Sequence, residues 1–176
     1  MLALPLNHIK AMVNFANSEI DNYDSRILEE LQRDARLSMS ELGRRVHLSQ
    51  PAVTERVRKL ELSGVIEGYH AKVNYAALGY GIRSLVRLGR AEYARVVKLI
   101  EQTPEVVNAF NVTGEDSWTL EIAVIDVAHL DAVVSKFCIM TETSTSIVLN
   151  MPRENYPVLP ASRDNIKPTI KKVTGR

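Results

Sequence analysis

The sequence predicts an α+β protein in two parts, an N-terminal helix-turn-helix domain followed by a C-terminal ferredoxin-like βαββαβ plait. Three observations predict it. Ser40 to Gly64, SELGRRVHLSQPAVTERVRKLELSG, reads as two short helices joined by a tight turn, the second with one apolar stripe and a dense set of Arg and Lys. From Ile82 onward, strand-like alternation and helical apolar spacing succeed one another in the order β-α-β-β-α-β. Charge is divided between the parts: Arg36 to Lys59 holds six basic residues against two acidic, whereas Tyr75 to Met151 holds six basic against nine acidic. One part is suited to face phosphate and the other is not.

The first helix is expected from an Asp24 cap to about Arg36, with Ile27, Leu28 and Leu31 at helical spacing. Ser40 is read as the cap of a short helix, Glu41 to Val46, that turns Leu42 and Val46 inward. His47-Leu48-Ser49 is the turn. Ser49 caps the third helix, Pro51 stands in its first turn where a missing N–H is harmless, and Gly64 stops it. Val65 to Val73 reads as a strand, and Gly79 and Gly81 mark a hinge.

In the second half, strands are expected at Ile82 to Leu88, Glu105 to Val112, Trp118 to Val124 and Thr143 to Leu149. Helices are expected at Ala91 to Gln102 and Val127 to about Cys138. VTGEDS, Val112 to Ser117, is the turn between the middle strands, and Trp118 reads as core. With both helices on one sheet face, the other face needs cover, so self-association is expected. The domain limits are therefore an extension at 1–20, a helix-turn-helix domain with its strand at 21–74, a hinge at 75–81, the plait at 82–151, and a tail at 152–176. The tail is basic and carries Pro157, Pro160 and Pro168; it is expected to be flexible, as either an added DNA contact or a solvated end.

The 176-residue chain has a formal net charge of only +1, so distribution rather than total charge carries the argument. Cys138 is the only cysteine, which excludes an intrachain disulfide and a Cys-rich zinc site and fits a reduced, cytoplasmic setting. His8, His47, His70 and His129 are scattered without ligand spacing, so no metal and no cofactor are expected. The N-terminus lacks a basic start and is broken by Pro5, His8 and Lys10, unlike a signal peptide, and no apolar run reaches the ~20 residues of a membrane helix.

On the third helix, Val53, Val57 and Leu60 share one face and must pack inward. Residues near the N-terminus of such a helix reach base edges, which makes Ser49, Gln50 and Thr54 the expected base or near-base contacts. Arg58 suits a base or a phosphate; Arg44, Arg56 and Lys59 suit phosphates. The partner expected is double-stranded DNA. No catalytic constellation is present in the sequence pattern, and an enzyme is not expected.

The block from Tyr23 to Leu149 resembles the Lrp/AsnC family of transcription regulators. It does so through YDSRILEELQRDARLSMSELGRRVHLSQPAVTERVRKLELSGVIEGYHAKVN, then VTGEDSWTLEIAV, then TETSTSIVL. The resemblance implies a C-terminal plait that senses a small effector, usually an amino acid. It also implies homodimers that assemble into octamers or larger rings. It places the effector near the turn holding Gly114, Glu115, Asp116 and Ser117, with the α-carboxylate on Ser117 and backbone groups and the α-ammonium on Glu115 or Asp116. Thr141, Thr143 and Ser144 would form the other wall. Two positions depart from the family pattern: His47 stands where the helix-turn-helix turn commonly has Gly, and Ser117 where many members carry an acid.

The expected function is sequence-specific transcriptional regulation whose assembly or DNA affinity responds to that effector. An alternative is an architectural, chromatin-like DNA binder with no effector. Some proteins resembling the family decarboxylate a modified tetrapyrrole, but this chain lacks a His/Arg cluster for that chemistry.

Overall fold

The computed structural model describes residues 20–161. They form two compact units, 20–70 together with 153–161, and 71–152. Apart from residue 20, the expected N-terminal extension lies outside the described residues, as does the tail beyond 161.

The first unit is built on α1 (Asn22–Arg33), α2 (Met39–Val46) and α3 (Gln50–Leu62). Ile27 and Leu31 of α1, Leu42 and Val46 of α2, and Val53, Val57 and Leu60 of α3 are buried together as one core. These are the positions that helical spacing picks out, and removing each from water contributes about 1.5–3 kcal/mol. The caps differ from expectation by a few residues. Asp21, not Asp24, caps α1: its carboxylate accepts the N–H groups of Tyr23 and Asp24 at 2.8 Å, while Asp24 accepts the Asp21 N–H in return. Ser38, not Ser40, caps α2 by accepting the Glu41 N–H at 3.2 Å. Ser49 holds the cap position of α3 with an extended backbone, but its hydroxyl makes no cap hydrogen bond.

Between α2 and α3 the chain reverses through His47, which takes the left-handed conformation (φ 61°, ψ 43°), and the Leu48 N–H donates to the Gly43 carbonyl at 2.8 Å. Gly64 (φ 73°) ends α3 in the same manner, its N–H reaching Glu61 and that of Val65 reaching Leu60. The strand expected at Val65 to Val73 does not form. Val65 and Ile66 instead fold back against the helical core, and 67–74 runs exposed without ladder pairing.

The second unit opens with a short 3-10 turn, Ala76–Leu78, ended by Gly79 (φ 92°). It continues as β1 (Ile82–Leu88), α4 (Tyr93–Glu101), β2 (Val106–Asn111), β3 (Trp118–Val124), α5 (Val127–Cys138) and β4 (Thr143–Ile147). The four strands form one antiparallel sheet in the order β2-β3-β1-β4, the βαββαβ plait the alternation predicts. Val86 and Leu88 of β1 and Trp118, Leu120, Ile122 and Val124 of β3 bury one face against Val96 of α4 and Leu130, Val133 and Phe137 of α5. Trp118 is core, as expected, with the Tyr93 ring 5.3 Å from its own. The alternate residues form the opposite face, where Arg83 pairs with Glu121, Asn108 donates to the same carboxylate at 2.8 Å, and Leu85 and Phe110 stand exposed.

Candidate nucleic-acid interface and ligand turn

With Val53, Val57 and Leu60 turned inward, the outer surface of α3 and its entry present Ser49, Gln50, Thr54, Arg58 and Lys59 to solvent. The Thr54 hydroxyl donates back to the Gln50 carbonyl at 2.8 Å, which fixes its rotamer. Arg58 forks onto Glu55 at 2.9 and 2.8 Å, and Lys59 lies 4.0 Å from the same carboxylate. On α2, Arg44 forks onto Glu41 at 2.9 and 2.7 Å, while Arg45 divides between Glu41 and Glu30. The Arg44 and Arg45 guanidiniums, Arg44 foremost, hold the Glu41 carboxyl down at about 2, and Arg58 likewise lowers Glu55. Solvent screens exposed pairs of this kind so that they add little to stability, and they exchange readily for a phosphate.

Arg56 is placed differently. Its side chain turns toward α1, where one nitrogen bonds Asp21 at 2.7 Å and Asp24 at 2.8 Å and the guanidinium lies 5.4 Å from the Tyr23 ring centre. Asp21 is lowered below the ordinary carboxylate range by the Asp24 N–H first and by Arg56 as well. The partners are 32 and 35 residues away in sequence, a separation that leaves no local signal.

The second group of residues meets at one end of the sheet. Leu88 closes β1 opposite Trp118 on one side and Thr143 on the other. The turn 112–117 and the stretch 141–144 therefore flank the same strand end. The turn is closed by the Val112 N–H on the Ser117 carbonyl (2.9 Å), and the Ser117 N–H ties it to Leu88 (2.8 Å). Gly114 adopts φ 128°, a region L side chains rarely enter, and the space where a Cβ would stand is open. Glu115 is exposed and Asp116 half-buried beside it. Thr141 donates to the Arg90 carbonyl at 3.2 Å, and the Thr143 hydroxyl lies 3.1 Å from the Cys138 sulfur.

Arg87 joins the two walls. It donates to the Ser144 hydroxyl at 3.1 Å and stands 3.6 Å from the Asp116 carboxylate. It is not among the residues that the sequence pattern singles out, although strand alternation puts Arg83, Leu85 and Arg87 on one face and Arg87 one residue from the end. Among the described residues no cluster of three or more His, Cys, Asp or Glu could hold a metal ion, and no helix is long and apolar enough to cross a membrane.

Comparison with known proteins finds two family matches in succession. Residues 20–61 match the AsnC-type helix-turn-helix domain, and residues 84–158 match the Lrp/AsnC ligand binding domain. The chain is 33% identical over 134 residues to the HTH-type transcriptional regulator LrpC of Bacillus subtilis, covering 75% of this chain and 93% of that protein. The solved structure of LrpC superposes with a TM-score of 0.72 at 32% identity, over 76% of this chain and 97% of that one. A feast or famine regulatory protein from M. tuberculosis, complexed with L-methionine, gives a TM-score of 0.73 at 29% identity, over 80% of this chain and 99% of its own. A transcriptional regulator from Neisseria meningitidis in complex with L-Met gives 0.73 at 26%, over 78% and 95%.

Proposed function

Because this chain belongs to the Lrp/AsnC family of helix-turn-helix transcriptional regulators, we propose that it binds duplex DNA sequence-specifically and couples that binding to a small amino-acid effector. The observation that carries the DNA half is the outer surface of α3. Gln50 and Thr54 stand exposed in its first turns, with Ser49 uncapped before them, where a groove-bound helix meets base edges. Arg44, Arg58 and Lys59 flank them and take phosphates by exchanging Glu41 and Glu55 for DNA oxygens. Arg56, held by Asp21 and Asp24, acts here as the brace that fixes α3 on α1.

The effector half rests on the end of the sheet, where a glycine turn and a hydroxyl-lined strand lie on either side of Arg87. A zwitterion has complementary partners there: backbone groups, Ser117 and Arg87 for the carboxylate, and Glu115 or Asp116 for the ammonium. Thr141, Thr143 and Ser144 form the opposing wall. The bound L-methionine of two solved relatives makes an amino acid the first effector class to test. The mechanism is linkage. An effector that binds one arrangement of a homodimer or larger homo-oligomer more tightly shifts assembly toward it, and with it the spacing of paired α3 helices.

The test is light-scattering mass with and without each of the twenty amino acids, followed by selection of binding sites from a random duplex pool. One amino acid that shifts the mass, and an enriched palindromic motif, are the expected results. A fixed mass together with footprints of little sequence preference would replace this reading with the architectural one.

A further inference from the structure

Residues 153–161, which follow β4, belong to the same compact unit as the three helices. Their attachment is specific. The Gln32 side-chain amide on α1 meets both main-chain polar groups of Val158: its nitrogen donates to the Val158 carbonyl at 2.9 Å, and its oxygen accepts the Val158 N–H at 2.8 Å. The same nitrogen donates to the Leu28 carbonyl at 3.1 Å, one turn back on α1, which fixes the amide's direction. The Val158 and Leu159 side chains stay exposed, while Pro157 and Pro160 on either side are half-buried. Each proline holds the residue before it extended and has no N–H of its own to place. The segment is thus stiff before it docks, and little chain freedom is lost when it does. A carboxamide that pairs with one residue's N–H and C=O imitates a strand neighbour, and it selects main-chain position rather than side-chain identity.

The chain therefore passes between the two units twice, at 70–71 and again at 152–153. The first passage lies in the exposed run 67–74, which has no ladder pairing. The second is short and fastened at both ends. The Val148 N–H donates to the Arg83 carbonyl on β1 at 2.9 Å, and Val158 is held by Gln32. Fully extended, Val148 to Val158 spans at most about 35 Å. We propose that Gln32 is a positioning residue: by holding Val158 it makes this run a second tether between plait and helical unit, and it thereby narrows the orientations in which α3 is offered to duplex DNA. The DNA clause rests on the reading above; the tether does not. A unit on one connector swivels about it, and a second fastened point excludes many of those arrangements. The short linker keeps the effective concentration of the docking segment high, so the contact re-forms each time it opens. Arrangements of α3 excluded in advance need not be excluded on binding, so the tether raises affinity without touching a base or a phosphate.

Spin-label distance measurements and DNA titrations test this on the full chain, Gln32→Leu, Val158→Pro and the double variant. Val158→Pro removes the N–H from the tail side and leaves the helices unaltered. Labels on the exposed native Cys138 of α5 and on Arg36→Cys in the exposed α1–α2 turn report the spread of separations between the units. Labelled chains are co-assembled with an excess of unlabelled Cys138→Ser chains, so that each distance belongs to one chain. The full chain is expected to give a narrow distribution and each variant a broader one, with unchanged helical circular dichroism. The double variant should be no broader than either single one, because both break the same contact. Fluorescence anisotropy on a duplex enriched by the selection above should show several-fold weaker binding for each variant. The log K against log[NaCl] slope should stay the same, because no phosphate contact is lost. A distribution of the same width in the full chain and in Gln32→Leu would overturn the tether. Broadening without loss of affinity would overturn its role in DNA binding. Failure of the full chain to bind any duplex would remove the DNA-binding reading, and the spin distances would still decide the tether.

Discussion

A Cβ built on Gly43 would lie 2.7 Å from the carbonyl oxygen of Leu48. That approach lets the Leu48 N–H reach the Gly43 carbonyl and sets the angle at which α3 leaves α2. Gly43→Ala must therefore push the turn away from the helix, at a cost of about 1–3 kcal/mol typical of overpacking. A clear drop in melting temperature, with parallel loss of DNA binding, is expected. An unchanged melting curve would show that the turn adapts freely.

His47 sits four residues further on in the left-handed region at φ 61°. That conformation costs an L-residue about 1–2 kcal/mol and glycine almost none. His47→Gly should raise the melting temperature, partly offset by the greater freedom of glycine in the unfolded chain. A lower melting temperature would assign His47 a stabilising contact that outweighs its strain.

Arg56 and Arg58, two residues apart on α3, should separate into two phenotypes. Arg56→Ala removes the link to Asp21 and Asp24 and is expected to lower stability by about 1 kcal/mol. Arg58→Ala should leave stability nearly unchanged, weaken DNA binding and reduce the salt slope by about 1. Urea melts paired with anisotropy titrations read both; the reverse assignment would make Arg56 the phosphate contact.

Acid should loosen the first unit through its paired carboxylates. Glu41, Asp21 and Glu55 all have folded values below their ordinary ones, Glu41 falling from 4.5 to about 2. The stability each contributes is present above the unfolded value and is lost as pH falls through the folded one. Helical signal melted at a series of pH values between about 5 and 2 should show falling stability. Glu41→Gln should flatten part of that slope; an identical slope in the variant would show that Glu41 contributes nothing to it.

Ser84 is fully buried on the helix-facing side of β1, and its hydroxyl has no hydrogen-bond partner among the described residues. An unmet buried hydroxyl costs about 1–3 kcal/mol. Ser84→Ala keeps the packing and removes that cost, so the variant should melt higher. A lower melting temperature would reveal a hydrogen bond made by Ser84 in the assembled protein.

The elements legible in the sequence are those whose pattern is repeated along their own length. β1 and β3 coincide with the expected strands residue for residue, because each alternates over most of its length against a buried face. β2 and β4, on the sheet edges, are shorter than expected: pairing on one side only ends sooner than apolar pattern does. The caps of α1 and α2 fall elsewhere than expected because Asp21 competes with Asp24, and Ser38 with Ser40; which oxygen meets which N–H depends on backbone conformation, not residue type. The strand expected at Val65 to Val73 is missing for a different reason. A strand is a relation between two segments, and its sequence specifies only one. The same limit hides the Arg56 brace and the place of Arg87 between Asp116 and Ser144, since both depend on partners far away in the chain.

Trp118 is the chain's only tryptophan, it is buried, and it follows Ser117 directly at the mouth of the glycine turn. The protein thus carries a built-in optical reporter beside the turn proposed above to hold an effector. Its indole emission should be blue-shifted in the resting protein, with Tyr93 close enough to transfer excitation to it. Any molecule that reorders the turn should register as a change in tryptophan intensity, which makes screening for effectors possible without dye, label or DNA.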